Sequence, residues 1–240
     1  MSSPDQNKIL HFLFEKERVA DLGFFFSGGT ALTEYYLRHR ISEDLDLFTR
    51  RADLDFGIAF KNLSSVLSQF GETKTAVLSK GFARFFVKSD NGPWGNILKI
   101  EFVTDVPFSV APPKKFGTII VDSIEDIATN KVSAIIDRDQ PRDAFDLYKI
   151  LSDRHIDFEK LIFTWAPKKD ANFENKEAFY ILADKIESLS SLTQDEFLRS
   201  VRPTKNDCAS DMASYLRDKI DHIFHKFSTK KEKSDRLKNE

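Results

Sequence analysis

Residues 42–49 read Ser42-Glu43-Asp44-Leu45-Asp46-Leu47-Phe48-Thr49. The alternation of acid and leucine predicts a β-strand, in which alternate side chains share a face. Asp44 and Asp46 would then point one way, while Leu45 and Leu47 point into a core. Two carboxylates about 5 Å apart repel each other by roughly 3 kcal/mol at an effective dielectric constant of 20. A shared divalent cation relieves this repulsion. On the residues alone, the alternative is an acidic strand face exposed to solvent.

A pair of glycines precedes this segment, in the run Gly23-Phe24-Phe25-Phe26-Ser27-Gly28-Gly29-Thr30-Ala31-Leu32. The aromatic residues predict a buried strand, and residues 30–37 predict a helix. Glycines at a strand-to-helix turn let backbone N–H groups approach an anion closely. Taken alone, Gly28 and Gly29 are explained by a tight turn. A phosphate-binding turn followed by a strand with two carboxylates is the combination needed to hold a nucleoside triphosphate with its metal ion.

Two blocks of the sequence resemble the motifs of a known family. The first block comprises Gly28-Gly29-Thr30-Ala31-Leu32 and His39-Arg40-Ile41-Ser42-Glu43-Asp44-Leu45-Asp46-Leu47-Phe48. It looks like the first motif of the AbiEii/AbiGii-type nucleotidyltransferases, which are toxin-like relatives of the DNA polymerase β superfamily. The second block resembles the same family's later motif and comprises Lys131-Val132-Ser133-Ala134-Ile135-Ile136-Asp137-Arg138 and Pro141-Arg142-Asp143-Ala144-Phe145-Asp146-Leu147-Tyr148. The blocks have the expected order and extend over residues 23–151.

This resemblance implies an α+β protein with a polymerase β-like nucleotidyltransferase core, a mixed sheet flanked by helices, and a helical C-terminal part. Such an enzyme transfers a nucleoside monophosphate from a nucleoside triphosphate to a hydroxyl group and releases pyrophosphate, assisted by Mg²⁺ or Mn²⁺. The implied acceptor is RNA, for example a tRNA 3′ end. The implied role is that of the toxin in a toxin–antitoxin or abortive-infection system, with an antitoxin protein as partner. Two alternatives stay open: a protein side chain as acceptor, or a degenerate site in a module that binds RNA or protein.

A third carboxylate is expected on the strand predicted at residues 97–103. The apolar residues of this strand share one face, which leaves Lys99 and Glu101 on the other. The resemblance implies that Glu101 joins Asp44 and Asp46 across neighbouring strands as a metal ligand and helps to activate the attacking hydroxyl. The residues alone equally allow a solvent face on which Lys99 and Glu101 pair. The family more often has aspartate at this position.

Lys131 occupies the centre of an apolar stripe on the next predicted helix, since Ile127 and Ile135 lie four residues to either side. A lysine at this position must be paired or must open into a polar cleft, because burying an unpaired ammonium group is costly. Otherwise its stem covers the stripe and its charge reaches solvent. The resemblance assigns Lys131 to the triphosphate as a catalytic residue, where a compact positive charge suits phosphate oxygens.

The following helix begins at Pro141, which suits the first helical position. Asp143 then lies in the first turn, where the helix dipole stabilises a carboxylate without any further role. Arg142 and Asp146 are four residues apart, and the sequence alone predicts that they pair on the surface. The resemblance makes Arg142 a nucleotide-binding candidate and Asp146 a catalytic candidate. It also assigns phosphate binding to the turn residues Gly28, Gly29 and Thr30.

The composition fits a cytoplasmic enzyme of ordinary size. The chain has 240 residues and a net charge of −2, so any contact with RNA must be a local patch. It has a single cysteine, Cys208, which excludes an intrachain disulfide framework. No segment approaches the length of a membrane span, and the first residues lack the features of an export signal.

The predicted elements change in character near residue 122. Before it, helices are expected at residues 6–20, 30–37 and 55–70, and strands at residues 24–26, 44–49, 75–78, 82–88, 97–103 and 118–121. Asn91-Gly92-Pro93 predicts a turn. After it, the pattern is helical, starting with a capping box of Ser123 and Asp126. We therefore expect a nucleotidyltransferase core at residues 1–122 and a helical domain at residues 123–240.

Overall fold

The computed structural model describes residues 3–88, 97–138, 140–174 and 176–237. The chain divides into two compact units, Met1–Asn130 and Lys131–Glu240. The turn predicted at residues 91–93 lies outside the described residues. Among the helices that are described, none combines the length and the apolar character needed to cross a lipid bilayer.

A mixed sheet of seven strands forms the first unit. The strands are β1 (Phe24–Ser27), β2 (Leu45–Thr49), β3 (Thr73–Leu78), β4 (Phe82–Lys88), β5 (Ile97–Thr104), β6 (Lys114–Phe116) and β7 (Ile119–Val121). Their order in the sheet is β3-β4-β5-β2-β1-β7-β6. The pairs β2/β5 and β1/β7 are parallel, and the other neighbours are antiparallel. This mixed sheet, together with its helices, is the α+β architecture predicted from the sequence.

Short helices alternate with these strands, and one longer helix follows them. The helices are α1 (Pro4–Glu15), α2 (Gly28–Leu32), α3 (Phe56–Ala59), α4 (Leu63–Leu67) and α5 (Ile124–Asp137). Single turns of other helix types lie at Val19–Leu22, Thr33–Leu37 and Ser68–Phe70. Helix α5 starts in the first unit and continues into the second, so both units share it.

Aromatic rings fill the core on one face of the sheet. The rings of Phe24 and Phe102 lie 5.3 Å apart, and Phe60 lies 4.2 Å from Phe102. Leu45 and Leu47 are fully buried, as the alternation in residues 42–49 predicts. Aromatic pairs at these separations add to the stabilisation that comes from burial alone. The apolar side chains therefore fix which face of β2 points inward.

The structure corrects two of the predicted elements and adds a third element. The first helix ends at Glu15 rather than residue 20, because Arg18 adopts a left-handed backbone conformation with φ of 51°. The helix predicted at residues 55–70 is broken into two short helices, and Gly57, a poor helix former, lies in the first. Strand β6 was not predicted, since it has only three residues and forms by pairing with β7.

Ser123 caps α5 as predicted, and it contacts Asp126 through both backbone and side chain. The Ser123 hydroxyl accepts a hydrogen bond from the Asp126 backbone N–H at 3.0 Å and lies 2.6 Å from the Asp126 carboxylate. The Asp126 carboxylate also accepts from the backbone N–H groups of Val110 and Ala111 at 3.1 Å, and it lies 3.3 Å from Nη2 of Arg50. Asp126 therefore fastens the loop that leads to β6.

The second unit is helical in its described part. It contains the end of α5 and the helices α6 (Pro141–Asp153), α7 (Phe158–Lys160), α8 (Ala166–Lys169), α9 (Lys176–Ser188), α10 (Gln194–Val201) and α11 (Ala209–Leu237). Helix α11 packs against α6 and α9. The last strand ends at Val121 and α5 begins at Ile124, so the change from strands to helices falls where it was expected. The two compact units, in contrast, divide within α5.

Candidate active site

Strands β2 and β5 bring the predicted acids together on one face of the sheet. Asp46 lies directly opposite Glu101 in the parallel register of these strands, and Arg84 on β4 lies opposite Glu101 on its other side. Partners in register point to the same face, and Asp44 precedes Asp46 by two residues. The prediction that Glu101 lies on a strand next to the Asp44–Asp46 segment is confirmed.

Two cations lie among these acids. Nε of Arg84 is 2.6 Å from Oε1 of Glu101, and Nζ of Lys99 is 2.9 Å from Oε2 of the same carboxylate. Nζ of Lys99 is also 3.1 Å from Oδ2 of Asp44. The pairing of Lys99 with Glu101, which the sequence left open, is therefore present, and it occurs on the same face as Asp46.

These contacts shift two pKa values. Burial alone would raise the pKa of Glu101, but Lys99 and Arg84 outweigh it and hold that pKa below its ordinary value. Burial alone would lower the pKa of Lys99, but Asp44, Asp46 and Glu101 raise it above the usual range. Glu101 is therefore ionised and Lys99 is charged at neutral pH.

The neighbouring side chains leave no room for a Cβ atom at Gly28 or Gly29. Gly28 has φ of +75°, and a Cβ at this position would collide with the carboxylate of Asp46. A Cβ at Gly29 would collide with the guanidinium group of Arg40, which is buried. The turn and the acidic strand therefore pack directly on each other.

Thr30 fastens the start of β2. Its buried hydroxyl donates to the backbone carbonyl of Asp44 at 2.6 Å and lies 2.9 Å from the Ser42 hydroxyl. The side-chain amide of Gln6 donates to the carbonyl of Glu43 at 2.6 Å. The hydroxyl of Thr30 is thus engaged within the protein and ties the turn to the acidic strand.

Lys131, in the second unit, is paired, as its position in an apolar stripe demands. Its Nζ is 2.7 Å from Oδ1 of Asp143 and 2.6 Å from Oδ2 of Asp146, and both acids are fully buried. Arg138 adds two hydrogen bonds to Asp143, at 2.8 and 3.0 Å. Burial alone would raise the pKa of Asp143, but Lys131 and Arg138 lower it.

The predicted surface pair of Arg142 and Asp146 is wrong. Asp146 is fully buried and binds Lys131, whereas Arg142 is half-buried. The resemblance placed Asp146 among the site candidates, and the structure brings it into contact with Lys131, another candidate. The helix dipole was a sufficient explanation for Asp143 in the sequence, yet Asp143 contacts both Lys131 and Arg138. The three-residue spacing of Asp143 and Asp146, beside a lysine that needs a partner, is the signal that predicts this cluster.

From the sequence, neither Arg84 nor Arg40 was assigned a role. Arg84 lies on β4, and only the pairing of β4 with β5 brings it to Glu101. Strand pairing, which the sequence does not encode locally, explains this omission. Arg40 belongs to the first resemblance block, which was the available signal, but its close approach to Gly29 appears only in three dimensions.

The three carboxylates of this face meet some of the requirements of a divalent metal ion. Carboxylate oxygens are the ligands that Mg²⁺ prefers, and Asp44 and Asp46 provide them on one face. Within the described residues, no three acidic, histidine or cysteine side chains are arranged to hold a metal ion. Glu101 is engaged by Arg84 and Lys99. The two aspartates therefore have the ligand chemistry of the predicted ion, and Lys99 contacts both Asp44 and Glu101.

Two solved structures share this fold, and a third shows a weaker similarity. The crystal structure of JHP933 from Helicobacter pylori covers 98% of this chain and 95% of its own, with 18% identity and a TM-score of 0.59. A Helicobacter pylori structure provisionally assigned as a nucleotidyltransferase covers 94% of each chain, also with 18% identity and a TM-score of 0.59. The polyadenylate synthase of Megavirus covers 62% of this chain and 32% of its own, with 14% identity and a TM-score of 0.42. No curated relative matches the chain in sequence.

The sequence itself carries the family assignment. Residues 11–232 match the model of the family described as nucleotidyl transferase AbiEii toxin, type IV toxin–antitoxin system. The match includes both blocks on which the resemblance was based, and the shared fold agrees with the predicted polymerase β-like architecture. The chain belongs to the AbiEii nucleotidyltransferase toxin family.

Proposed function

We propose that this nucleotidyltransferase moves a nucleoside monophosphate from a nucleoside triphosphate to a hydroxyl group of RNA, with a divalent metal ion, and that an antitoxin protein restrains it. The packing of Asp46 on Gly28 supports this most, because it joins the predicted metal ligand to the predicted phosphate-binding turn. The family membership supports a nucleotide substrate and an antitoxin.

Each residue of the acidic face has a separate task in this proposal. Asp44 and Asp46 hold Mg²⁺ or Mn²⁺, which when bound acts as a Lewis acid on the triphosphate. Gly28 and Gly29 present backbone N–H groups to phosphate oxygens. Glu101, kept ionised by its cations, accepts a hydrogen bond from the attacking hydroxyl. Its lowered pKa makes it a positioning group more than a strong base.

Lys131 and Arg142 are the positively charged residues of this proposal. Lys131 neutralises the pyrophosphate as it leaves, and Asp146 and Asp143 fix the position of its ammonium group. Arg142, half-buried at the start of α6, binds the nucleotide. Positioning and electrostatics account for most of phosphoryl-transfer catalysis, so a covalent intermediate is not needed.

Incubation with labelled substrates tests the proposal. Each α-labelled nucleoside triphosphate is mixed with Mg²⁺, the purified full chain and either total RNA or total protein. The variant Asp46→Asn serves as a matched control, because it preserves the size of the side chain and removes its charge. We expect label in RNA with the wild type and none with the variant.

Other outcomes distinguish the alternatives. Label in protein and not in RNA would replace the proposed acceptor by a protein side chain. Equal labelling by wild type and Asp46→Asn would remove Asp46 from the mechanism. An absence of labelling with all four nucleotides and both acceptors, by a chain that binds RNA, would favour the degenerate binding module.

A further inference from the structure

Lys99 bridges two of the three carboxylates of the acidic face. Its ammonium nitrogen lies 3.1 Å from Asp44 and 2.9 Å from Glu101, which are distances of direct ion pairs. Lys99 precedes Glu101 by two residues on β5, so the strand itself holds both side chains on one face. The bridge is therefore a product of the strand geometry.

The charges on this face limit how many metal ions it can accept. Arg84 and Lys99 neutralise two of the three carboxylate charges. One negative charge remains, and a single divalent ion at Asp44 and Asp46 more than compensates it. A second divalent ion, placed between Asp44 and Glu101, would meet the Lys99 ammonium group at the position where the two carboxylates are joined.

Enzymes that transfer phosphoryl groups often use two metal ions a few ångströms apart, which clamp the attacking and the leaving oxygen. Such a pair needs carboxylates that bridge or flank both ions. Here the bridging position between Asp44 and Glu101 is taken by a side chain of the protein, and the described residues hold no group of three potential ligands.

We propose that Lys99 is a resident cation that takes the place of a second divalent ion, so that this chain binds a single divalent ion, at Asp44 and Asp46. The inference rests on the proposed function, since it assumes that these aspartates bind a metal ion. Lys99 then determines how many metal ions the acidic face binds. The third acid, Glu101, is neutralised by Arg84 and Lys99.

Counting bound Mn²⁺ tests the inference without measuring transfer. Titration of the full chain with Mn²⁺, followed by electron paramagnetic resonance of the free ion, gives both the number of sites and their affinity. The variants are Lys99→Met, which removes the bridge, and Arg84→Met, which removes an equal charge from the same face and leaves the bridge. Asp46→Asn controls for binding elsewhere, and thermal unfolding shows which variants are folded.

We expect one Mn²⁺ site in the wild type, lost in Asp46→Asn, and a second site only in Lys99→Met, with affinity within roughly tenfold of the first. Two comparable sites in the wild type would overturn the inference, and this count depends on no variant. An equal gain in Arg84→Met and Lys99→Met would also overturn it, because a general charge effect would then suffice.

Two further results separate this inference from the proposed function. If wild type and Lys99→Met bind the same number of ions, with both losing them on Asp46→Asn, the metal site stands and the role of Lys99 is rejected. If neither the wild type nor Lys99→Met binds Mn²⁺, both the inference and the metal dependence in the proposed function are rejected.

Discussion

Gly28 and Asp46 constrain each other at the level of single residues. The backbone of Gly28 has a positive φ, which L-residues rarely adopt, and the Asp46 carboxylate occupies the space of a side chain there. Gly117 also has a positive φ, of +61°, but open space surrounds its missing side chain. A side chain at Gly117 would therefore introduce backbone strain alone, whereas a side chain at Gly28 would also collide with Asp46.

We expect Gly28→Ala and Gly117→Ala each to lower the free energy of unfolding by roughly 1–2 kcal/mol, the usual cost of a left-handed conformation. Only Gly28→Ala should also lose nucleotide transfer, because its methyl group displaces Asp46. Urea unfolding and the labelling assay measure the two effects. Wild-type transfer by a folded Gly28→Ala variant would show that the turn is not part of the site.

Asp143 gives a prediction about pH. Its pKa is lower in the folded chain than in an unfolded one, because Lys131 and Arg138 outweigh the effect of burial. Such a group stabilises the fold above its ordinary pKa, and this contribution is lost as the pH falls through its folded pKa. The stabilisation from Asp143 is therefore complete at neutral pH and declines in acid.

We expect Asp143→Asn to lower the free energy of unfolding by about 3–5 kcal/mol at pH 7, the scale for breaking a buried ion pair. The difference from the wild type should shrink below pH ~4, where the Asp143 carboxyl of the unfolded chain begins to take up a proton. Asp153→Asn, at the exposed end of the same helix, is the matched control. A difference that stays constant from pH 7 to pH 3 would contradict this account.

At the level of elements, helix α5 presents Lys131 to two carboxylates of α6. Replacing Lys131 by methionine keeps most of the stem and removes the charge. From the sequence alone, a lysine that only packs would tolerate this change. The structure shows that it leaves Asp146 and Asp143 buried with less compensation, so a simple loss of activity could reflect unfolding.

A second substitution separates the two effects. We expect Lys131→Met to lose roughly 10²-fold or more in transfer rate, the scale for one transition-state electrostatic contact, and also to lower the melting temperature. Lys131→Met combined with Asp146→Asn should recover stability, since the uncompensated carboxylate is gone, while transfer stays low. If the double variant regains transfer together with stability, Lys131 has only a structural role.

The sequence predicts well the features that depend only on residues close together in the chain. Alternation alone places Leu45 and Leu47 in the core, and the structure agrees. The position of Glu101 beside Asp46, in contrast, depends on strand pairing between distant segments, and it was predicted only through the resemblance. Arg84 and the short strand β6 were missed for the same reason.

At the level of the whole molecule, the net charge of −2 makes broad electrostatic attraction to RNA or triphosphates weak. Binding of a triphosphate must therefore depend on local groups and on the metal ion. We expect it to require Mg²⁺ or Mn²⁺ and to be lost in Asp46→Asn without loss of the fold. Calorimetric titration with a non-hydrolysable triphosphate, with and without the ion, measures this. Binding of equal strength by wild type and variant in the absence of metal would reject the role of the two aspartates.

Helix α5 has a consequence for how this chain can be shortened or recombined. A cut between Asn130 and Lys131, where the two units divide, interrupts a continuous helix and leaves backbone groups of a full turn without partners. A cut after the helix keeps it whole but parts Lys131 from Asp143 and Asp146. Each of these two cuts therefore breaks either the helix or the ion pairs of Lys131, so a fragment that keeps both must include all of α5 together with α6.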